Sequence, residues 1–292
     1  MNNPLHAAYY ADRARCERVR VVENVRLARD TFRLRMECPE LACRIVPGQF
    51  LMVRLPECDD PLLGRPLALY DTVVDDGKRG RPSGVDVVYL VVGKMTGRLA
   101  ALAAGAELEV WGPLGNGFAP QVAEHLIMVA GGIGQTPFPA LAREHLGKRA
   151  YGDPPRQVKQ VPRVTLCYGA RSKEYLAGVE DFESLGVEVH TSTDDGSAGH
   201  HGLVTDVLTE VLDAGGGRAR IVCCGPEPMM EAVARLAAER EIPAQVSLET
   251  PMACGIGICF SCVTRVRQDD GGWDYRRTCV EGPVFDAERI EW

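Results

Sequence analysis

From Val19 to Trp111, apolar and polar residues alternate in short runs separated by breaks, the period-two pattern of half-buried strands. The runs are Val19–Val25, Thr31–Glu37, Gln49–Leu55, Val85–Val92 and Glu107–Trp111; in the second, Phe32, Leu34 and Met36 interleave with Arg33, Arg35 and Glu37. Pro47-Gly48, Asp76-Gly77 and Pro113–Gly117 supply the turn chemistry between runs. Short strands at this spacing predict a small antiparallel β-barrel, with one helical stretch, Thr96 to about Ala103, after Gly93. From His125 the pattern changes. Strands at Leu126–Ala130, Val164–Tyr168, Val187–Thr193 and Ile221–Cys224 alternate with helical stretches at Pro139–His145, Val204–Leu212 and Met229–Arg240. That alternation builds a parallel sheet flanked by helices. Lys148–Pro162 reads as a polar loop, and a last apolar strand, Ala244–Leu248, leads into a cysteine-rich tail. The predicted fold class is therefore multidomain, β followed by α/β. An extension over 1–16 precedes an antiparallel β-barrel over 17–120, a parallel-sheet α/β unit over 121–243 and a small C-terminal unit over 244–292.

Composition fits this picture: of 292 residues, 46% are hydrophobic and 25% charged, so the chain can bury a core for more than one unit. A net charge of −7 argues against nucleic acid as a partner. No apolar run is long enough for a membrane span, and the N-terminus lacks the apolar core of a signal peptide, so the expected location is the cytoplasm. Thiols there stay reduced, and clustered cysteines point to metal or redox chemistry. Of the eleven cysteines, Cys16, Cys38, Cys43, Cys58, Cys167, Cys223 and Cys224 are scattered and read as small packing residues.

The other four carry the most specific signal. Cys254, Cys259, Cys262 and Cys279 have the spacing C-x4-C-x2-C…C of plant-type [2Fe–2S] ligation. Gly255 and Gly257 suit a tight loop whose N–H groups approach sulfur. The alternatives are a structural zinc site on four cysteines, which prefers paired C-x2-C knuckles, and incidental thiols. Glu281–Phe285 reads as chain crossing under this loop.

Two glycine segments stand at strand ends in the α/β unit. Gly131, Gly132, Ile133 and Gly134 run on to Pro137 where a strand gives way to a helix, the context in which backbone N–H groups can cradle a pyrophosphate. An ordinary strand-to-helix turn is the alternative. Cys224, Gly225, Pro226 and Met229 occupy the equivalent position on a later strand, so both loops converge at one carboxyl edge. In the β-rich half, Gly64-Arg65-Pro66-Leu67-Ala68-Leu69-Tyr70 offers an arginine to a flavin dinucleotide pyrophosphate, and Gly93–Thr96 opens a helix beside it. A solvated edge arginine is the competing reading of Arg65.

Taken in order, these segments, with Tyr168-Gly-Ala-Arg171, Thr193-Asp-Asp-Gly196, Ser247-Leu-Glu249 and Gly282-Pro-Val-Phe285, closely resemble the electron-transfer subunit of the NAD-dependent, two-subunit dihydroorotate dehydrogenases, within the ferredoxin–NADP reductase superfamily. The resemblance covers residues 17–292. It implies that the barrel binds FAD through Arg65, Pro66, Leu67, Ala68, Val88, Tyr89, Leu90, Met95 and Thr96. It also implies that the α/β unit takes NAD at the two glycine loops, and that the tail holds a [2Fe–2S] cluster on the four cysteines. The implied activity is an electron relay in pyrimidine synthesis, from the FMN of a catalytic dihydroorotate dehydrogenase subunit through the cluster and FAD to NAD+. The implied assembly is a heterotetramer of two of each subunit. No residue of this chain is expected to act as a catalytic acid or base. The family usually has serine at Ala68, glycine at Met95 and often arginine at Leu90, so contacts at the last two are expected from backbone atoms. Glu174, near the second strand end, is expected to disfavour a 2′-phosphate. The runner-up is the small subunit of a related NAD(P)H:ferredoxin or sulfide-linked oxidoreductase; a reading from another class is a zinc-binding scaffold without redox turnover.

Overall fold

The computed structural model describes residues 11–74, 81–215 and 217–292. Most of the N-terminal extension and the Asp76-Gly77 turn lie outside the described residues. The first unit contains β1 (Arg15–Ala28), β2 (Thr31–Glu37), α1 (Pro39–Arg44), β3 (Phe50–Arg54), β4 (Arg65–Val73), β5 (Gly84–Leu90), α2 (Lys94–Ala100) and β6 (Glu107–Leu114). The six strands close into an antiparallel barrel in the order β1-β2-β5-β4-β3-β6. Arg15 and Cys16, placed by sequence in the extension, belong to β1, where they pair with Gly112 and Trp111. Inward residues follow the expected alternation: Leu34 and Met36 on β2, Leu51 and Val53 on β3, Leu67 and Leu69 on β4, Val85, Val87 and Tyr89 on β5. Phe50 and Met52, on the opposite face of β3, belong to a separate apolar cluster with Leu114, Cys262, Cys279 and Val280. The outer face of the barrel is thus the floor of the cysteine-rich tail.

The second unit contains β7 (His125–Gly131), α3 (Phe138–His145), β8 (Arg163–Ala170), α4 (Val179–Glu183), β9 (Glu188–Thr193), β10 (His200–His201), α5 (Val204–Asp213), β11 (Ala219–Cys224), α6 (Glu227–Glu239) and β12 (Ala244–Ser247). The tail adds β13 (Val263–Arg267), β14 (Trp273–Arg277) and β15 (Val284–Asp286). The sheet order is β10-β9-β8-β7-β11-β12-β15, parallel except for β15, which runs antiparallel to β12. Chain order reverses between β7 and β11, and that switch point is where open α/β sheets take ligands. Residues 281–285, read from sequence as a crossing, instead lead into and form the edge strand β15, because Val246 and Ser247 present free backbone groups to Phe285 and Val284.

The polar loop before β8 is the joint between units rather than a solvated excursion. Tyr151 is buried in the barrel core and donates its hydroxyl hydrogen to Asp71 Oδ1 at 2.7 Å; Arg149 Nη1 donates to the same oxygen at 2.8 Å. Arg156 pairs with Glu144 and donates to the Phe118 carbonyl at 2.7 Å, clamping the chain that links the units.

Candidate cofactor sites

The cysteine loop is shaped by two glycines. Gly255 and Gly257 have φ of +71° and +84°, where side chains are strained. A Cβ on Gly255 would lie 2.6 Å from Met52 Cγ, so the loop approaches the barrel closer than any larger residue permits. Trp111 Nε1 donates to the Cys254 carbonyl at 2.9 Å, Arg277 Nη1 to the Gly257 carbonyl at 2.9 Å, and Thr278 N to the Cys262 carbonyl at 2.8 Å. The Ile256 N–H points at Cys254 Sγ, 3.4 Å away.

Within this frame the thiols interact in two pairs, Cys254 with Cys259 and Cys262 with Cys279. Hydrogen bonding to Ser261, whose Oγ lies 3.2 Å from Cys259 Sγ, pulls the Cys259 thiol down to about 6. The bond from Cys279 pulls Cys262 down to about 6, and the same bond pushes Cys279 up. Thiolates are the form that binds iron. Among the described residues no group of three or more His, Cys, Asp or Glu is gathered for a single ion. Four soft donors in the C-x4-C-x2-C…C spacing fit a two-iron cluster, whereas structural zinc sites prefer paired C-x2-C knuckles.

The flavin motif begins β4. Pro66 and Ala68 share the outer face with Met52 and Phe50, their partners across the ladder, while Leu67 is inside the barrel. Arg65 is exposed; its Nη1 donates to the Leu63 and Gly64 carbonyls, which fixes one edge of the guanidinium and leaves Nε and Nη2 to meet an anion. Lys94 pairs with Asp60, drawing the start of α2 to the loop that precedes Arg65. Thr96 Oγ1 accepts from Val92 N at 3.0 Å and Gly93 N at 3.2 Å, ordering that turn. Met95 is buried in the barrel core, so only its backbone faces outward. Tyr89 also points inward, stacking on Phe32 and donating to Asn24 Oδ1 at 3.2 Å; Val88 is buried and Leu90 half-buried. A cationic side chain beside first-turn N–H groups suits a dinucleotide pyrophosphate.

The two glycine loops touch at the switch point. A Cβ on Gly134 would lie 2.2 Å from the Cys224 carbonyl oxygen, one on Gly131 would lie 2.6 Å from Met229 Sδ and 2.8 Å from Pro226 Cδ, and one on Gly225 would lie 2.9 Å from Gly131 N. Gly132, at φ +55°, faces open space. Ile133 lies in a 3-10 turn, Gly132–Gln135, and Pro137 caps α3. Gln135 in the same turn is fully buried with neither amide atom bonded among the described residues, an orphan polar group beside the glycine turn. Burial pushes the Cys224 thiol up, so it stands neutral beside the turn. Glu174 is exposed, and its carboxylate accepts from Arg29 Nη1 at 2.8 Å beside a surface hollow of about 680 Å3 lined by residues 26–30 and Glu174. Trp111 and Asn116 carry no motif signal, and the structure alone brings them to the cysteine-rich tail.

Comparison with known proteins gives the domain families and the cofactors they bind. Three family models match: an oxidoreductase FAD-binding domain over residues 18–118, an oxidoreductase NAD-binding domain over 128–235, and the iron-sulfur cluster binding domain of dihydroorotate dehydrogenase B over 249–291. The dihydroorotate dehydrogenase B (NAD(+)) electron transfer subunit of Shouchella clausii is 37% identical over 94% of this chain and 97% of its own. That of Desulforamulus reducens is 34% identical over 91% and 94%. Among solved structures, one from a study of flavin-based electron bifurcation by NADH-dependent reduced ferredoxin-NADP oxidoreductase is 29% identical, with a TM-score of 0.77, covering 94% of this chain and 90% of that one. An Amycolatopsis cytochrome P450 reductase shares the fold at 24% identity and a TM-score of 0.62, covering 78% and 67%. The chain belongs to the family of dihydroorotate dehydrogenase B electron transfer subunits.

Proposed function

We propose that this chain carries electrons between a catalytic dihydroorotate dehydrogenase subunit and NAD+, with the cluster on Cys254, Cys259, Cys262 and Cys279 facing that partner. The observation that carries the reading is the packing of the cysteine loop on the outer face of β3, beside the strand that bears Arg65, Pro66 and Ala68. Bound here, FAD would supply hydride exchange with the nicotinamide and single-electron exchange with the cluster. The chain's own residues position these groups and exclude water. Arg65 and the Gly93–Thr96 turn hold the flavin pyrophosphate, Gly131–Gly134 and Cys224–Met229 hold NAD, and the four thiolates hold iron. No side chain here is assigned a proton-transfer role. The assembly is proposed as two copies of each subunit, in the cytoplasm; no helix among the described residues is long and apolar enough to cross a membrane.

The test is anaerobic purification with and without the partner. The isolated chain is expected to show flavin and iron–sulfur absorption and to oxidise NADH with artificial acceptors, while forming no orotate. Cys262→Ser is expected to lose the cluster but keep FAD. Orotate production by the chain alone, or a purified chain without either chromophore, would refute the assignment. The structural likeness to the bifurcating oxidoreductase favours a second reading, a ferredoxin-linked partner, and identification of the co-purifying subunit decides between the two.

A further inference from the structure

We propose that Trp111 is a positioning residue that fixes the flavin strand against the cluster loop, a role that rests on the electron-relay reading above. One side chain touches both. Its indole N–H donates to the carbonyl of the ligand Cys254 at 2.9 Å. Its ring edge lies over Gly64, the residue before Arg65: a Cβ there would stand 2.9 Å from Trp111 Cη2 and 3.0 Å from the Val53 carbonyl oxygen. Gly64 is not in the left-handed region, so its lack of a side chain answers to the indole and the strand beneath rather than to backbone strain.

The ring is held on its other sides. Trp111 packs against the cluster of Phe50, Met52, Leu114, Cys262, Cys279 and Val280, and its backbone pairs with Met52 and Cys16. A rigid bicyclic side chain with two torsions, wedged between two strands, transmits position with little slack. The hydrogen bond also reaches the cluster through its ligand, because holding the Cys254 carbonyl orients the loop that carries its sulfur. Trp111 therefore sets both the spacing between the two redox groups and part of the environment of one of them. It needs no redox chemistry of its own: each electron that leaves one group arrives on the other.

Trp111→Phe keeps the ring and removes the donor; Gly64→Ala keeps the donor and displaces the ring. In the assembled holoenzyme, FAD and iron are counted first. The reduced cluster's EPR g values are then recorded, and rapid mixing with NADH follows flavin and cluster reduction separately. With cofactors at wild-type stoichiometry, Trp111→Phe is expected to shift the g values and to slow cluster reduction severalfold relative to flavin reduction. If Trp111→Phe does not retain its cluster, Gly64→Ala decides by the same two readings. Wild-type g values and relative rates in fully occupied variants would overturn the role of Trp111 alone. A wild-type holoenzyme without both chromophores would sink the relay reading on which it rests.

Discussion

Gly132 and Gly134 sit two residues apart in one motif and are glycine for different reasons. Gly132 has φ +55° and no atom within 4 Å of an added Cβ, so alanine there costs backbone strain alone, about 1 kcal/mol. Its methyl group would project into open space at the mouth of the crevice, and the expected outcome is a raised KM for NADH with near-native stability. At Gly134 the added carbon would meet the Cys224 carbonyl, a backbone atom that no rotamer change relieves. Gly134→Ala is expected to lose about 3 kcal/mol in denaturant titration. Similar losses for both variants would show that the two loops are not in contact. The same scale holds a titratable group outside the cofactor sites. His145, on α3, is buried; its Nδ1 bonds the Leu141 carbonyl at 3.0 Å, and burial, with Arg220 and Arg156 nearby, lowers it from 6.5 to about 4. The unfolded chain therefore takes up the proton first. Stability is complete above about pH 6.5 and is lost as pH falls toward 4, by at most about 3 kcal/mol. A His145→Phe variant is expected to be less stable at pH 7 but to show a flatter acid limb than the native protein; parallel limbs would assign the acid sensitivity elsewhere.

At the scale of elements, β15 decides whether the cysteine-rich tail is a separate unit or part of the molecule's frame. Asn116, just past β6, answers this: its Nδ2 donates to the Val284 carbonyl at 2.7 Å and the Glu281 carbonyl at 3.3 Å, and its Oδ1 accepts from Val284 N at 3.1 Å. Asn116→Ala leaves these backbone groups without partners at a cost of about 2–3 kcal/mol. Amide exchange at residues 280–286 is expected to accelerate, and chelators to strip the cluster faster, while β1–β5 exchange as before. What was legible beforehand followed from burial on one face. Thr31–Glu37 reads as observed because one side of β2 is core and the other carries Arg33 and Arg35. The hairpin β13–β14 escaped because Trp273, Tyr275 and Arg265 are exposed, so no face alternates, although Asp269-Asp270-Gly271-Gly272 is turn chemistry. The six-residue α1 is too short to show a helical period. The four cysteines and the glycine loops were legible because their chemistry demands those residues at that spacing. Trp111 and Asn116 were not, since any strand tolerates a tryptophan and any turn an asparagine.

In the whole molecule, β4 joins the proposed flavin site to the second unit. It starts just after Gly64, which lies against Trp111, offers Pro66 and Ala68 outward, and ends at the joint with the second unit. There Tyr70 donates its hydroxyl hydrogen to Asp181 Oδ2 at 2.5 Å, and Asp71 gathers Arg149, Tyr151, its neighbour's Thr72 N at 2.8 Å and the Arg143 guanidinium at 2.7 Å. A further contact between the units, the Arg29–Glu174 ion pair, is more than half exposed on both sides and is worth no more than about 1 kcal/mol. Asp71 is largely buried, and neutralising it strands two arginines and a buried hydroxyl around one site. Asp71→Asn is therefore expected to cost about 2–3 kcal/mol, less than a fully buried pair because both arginines retain some solvent. Arg29→Ala is expected to change stability by under about 0.5 kcal/mol. The discriminating measurement is the rate of flavin reduction by NADH at saturating nucleotide. It is expected to fall in Asp71→Asn, where the flavin strand loses its hold on the nicotinamide unit, and to stay native in Arg29→Ala. The reverse order would move the joint that aligns the two units from β4 to the β1–β2 turn.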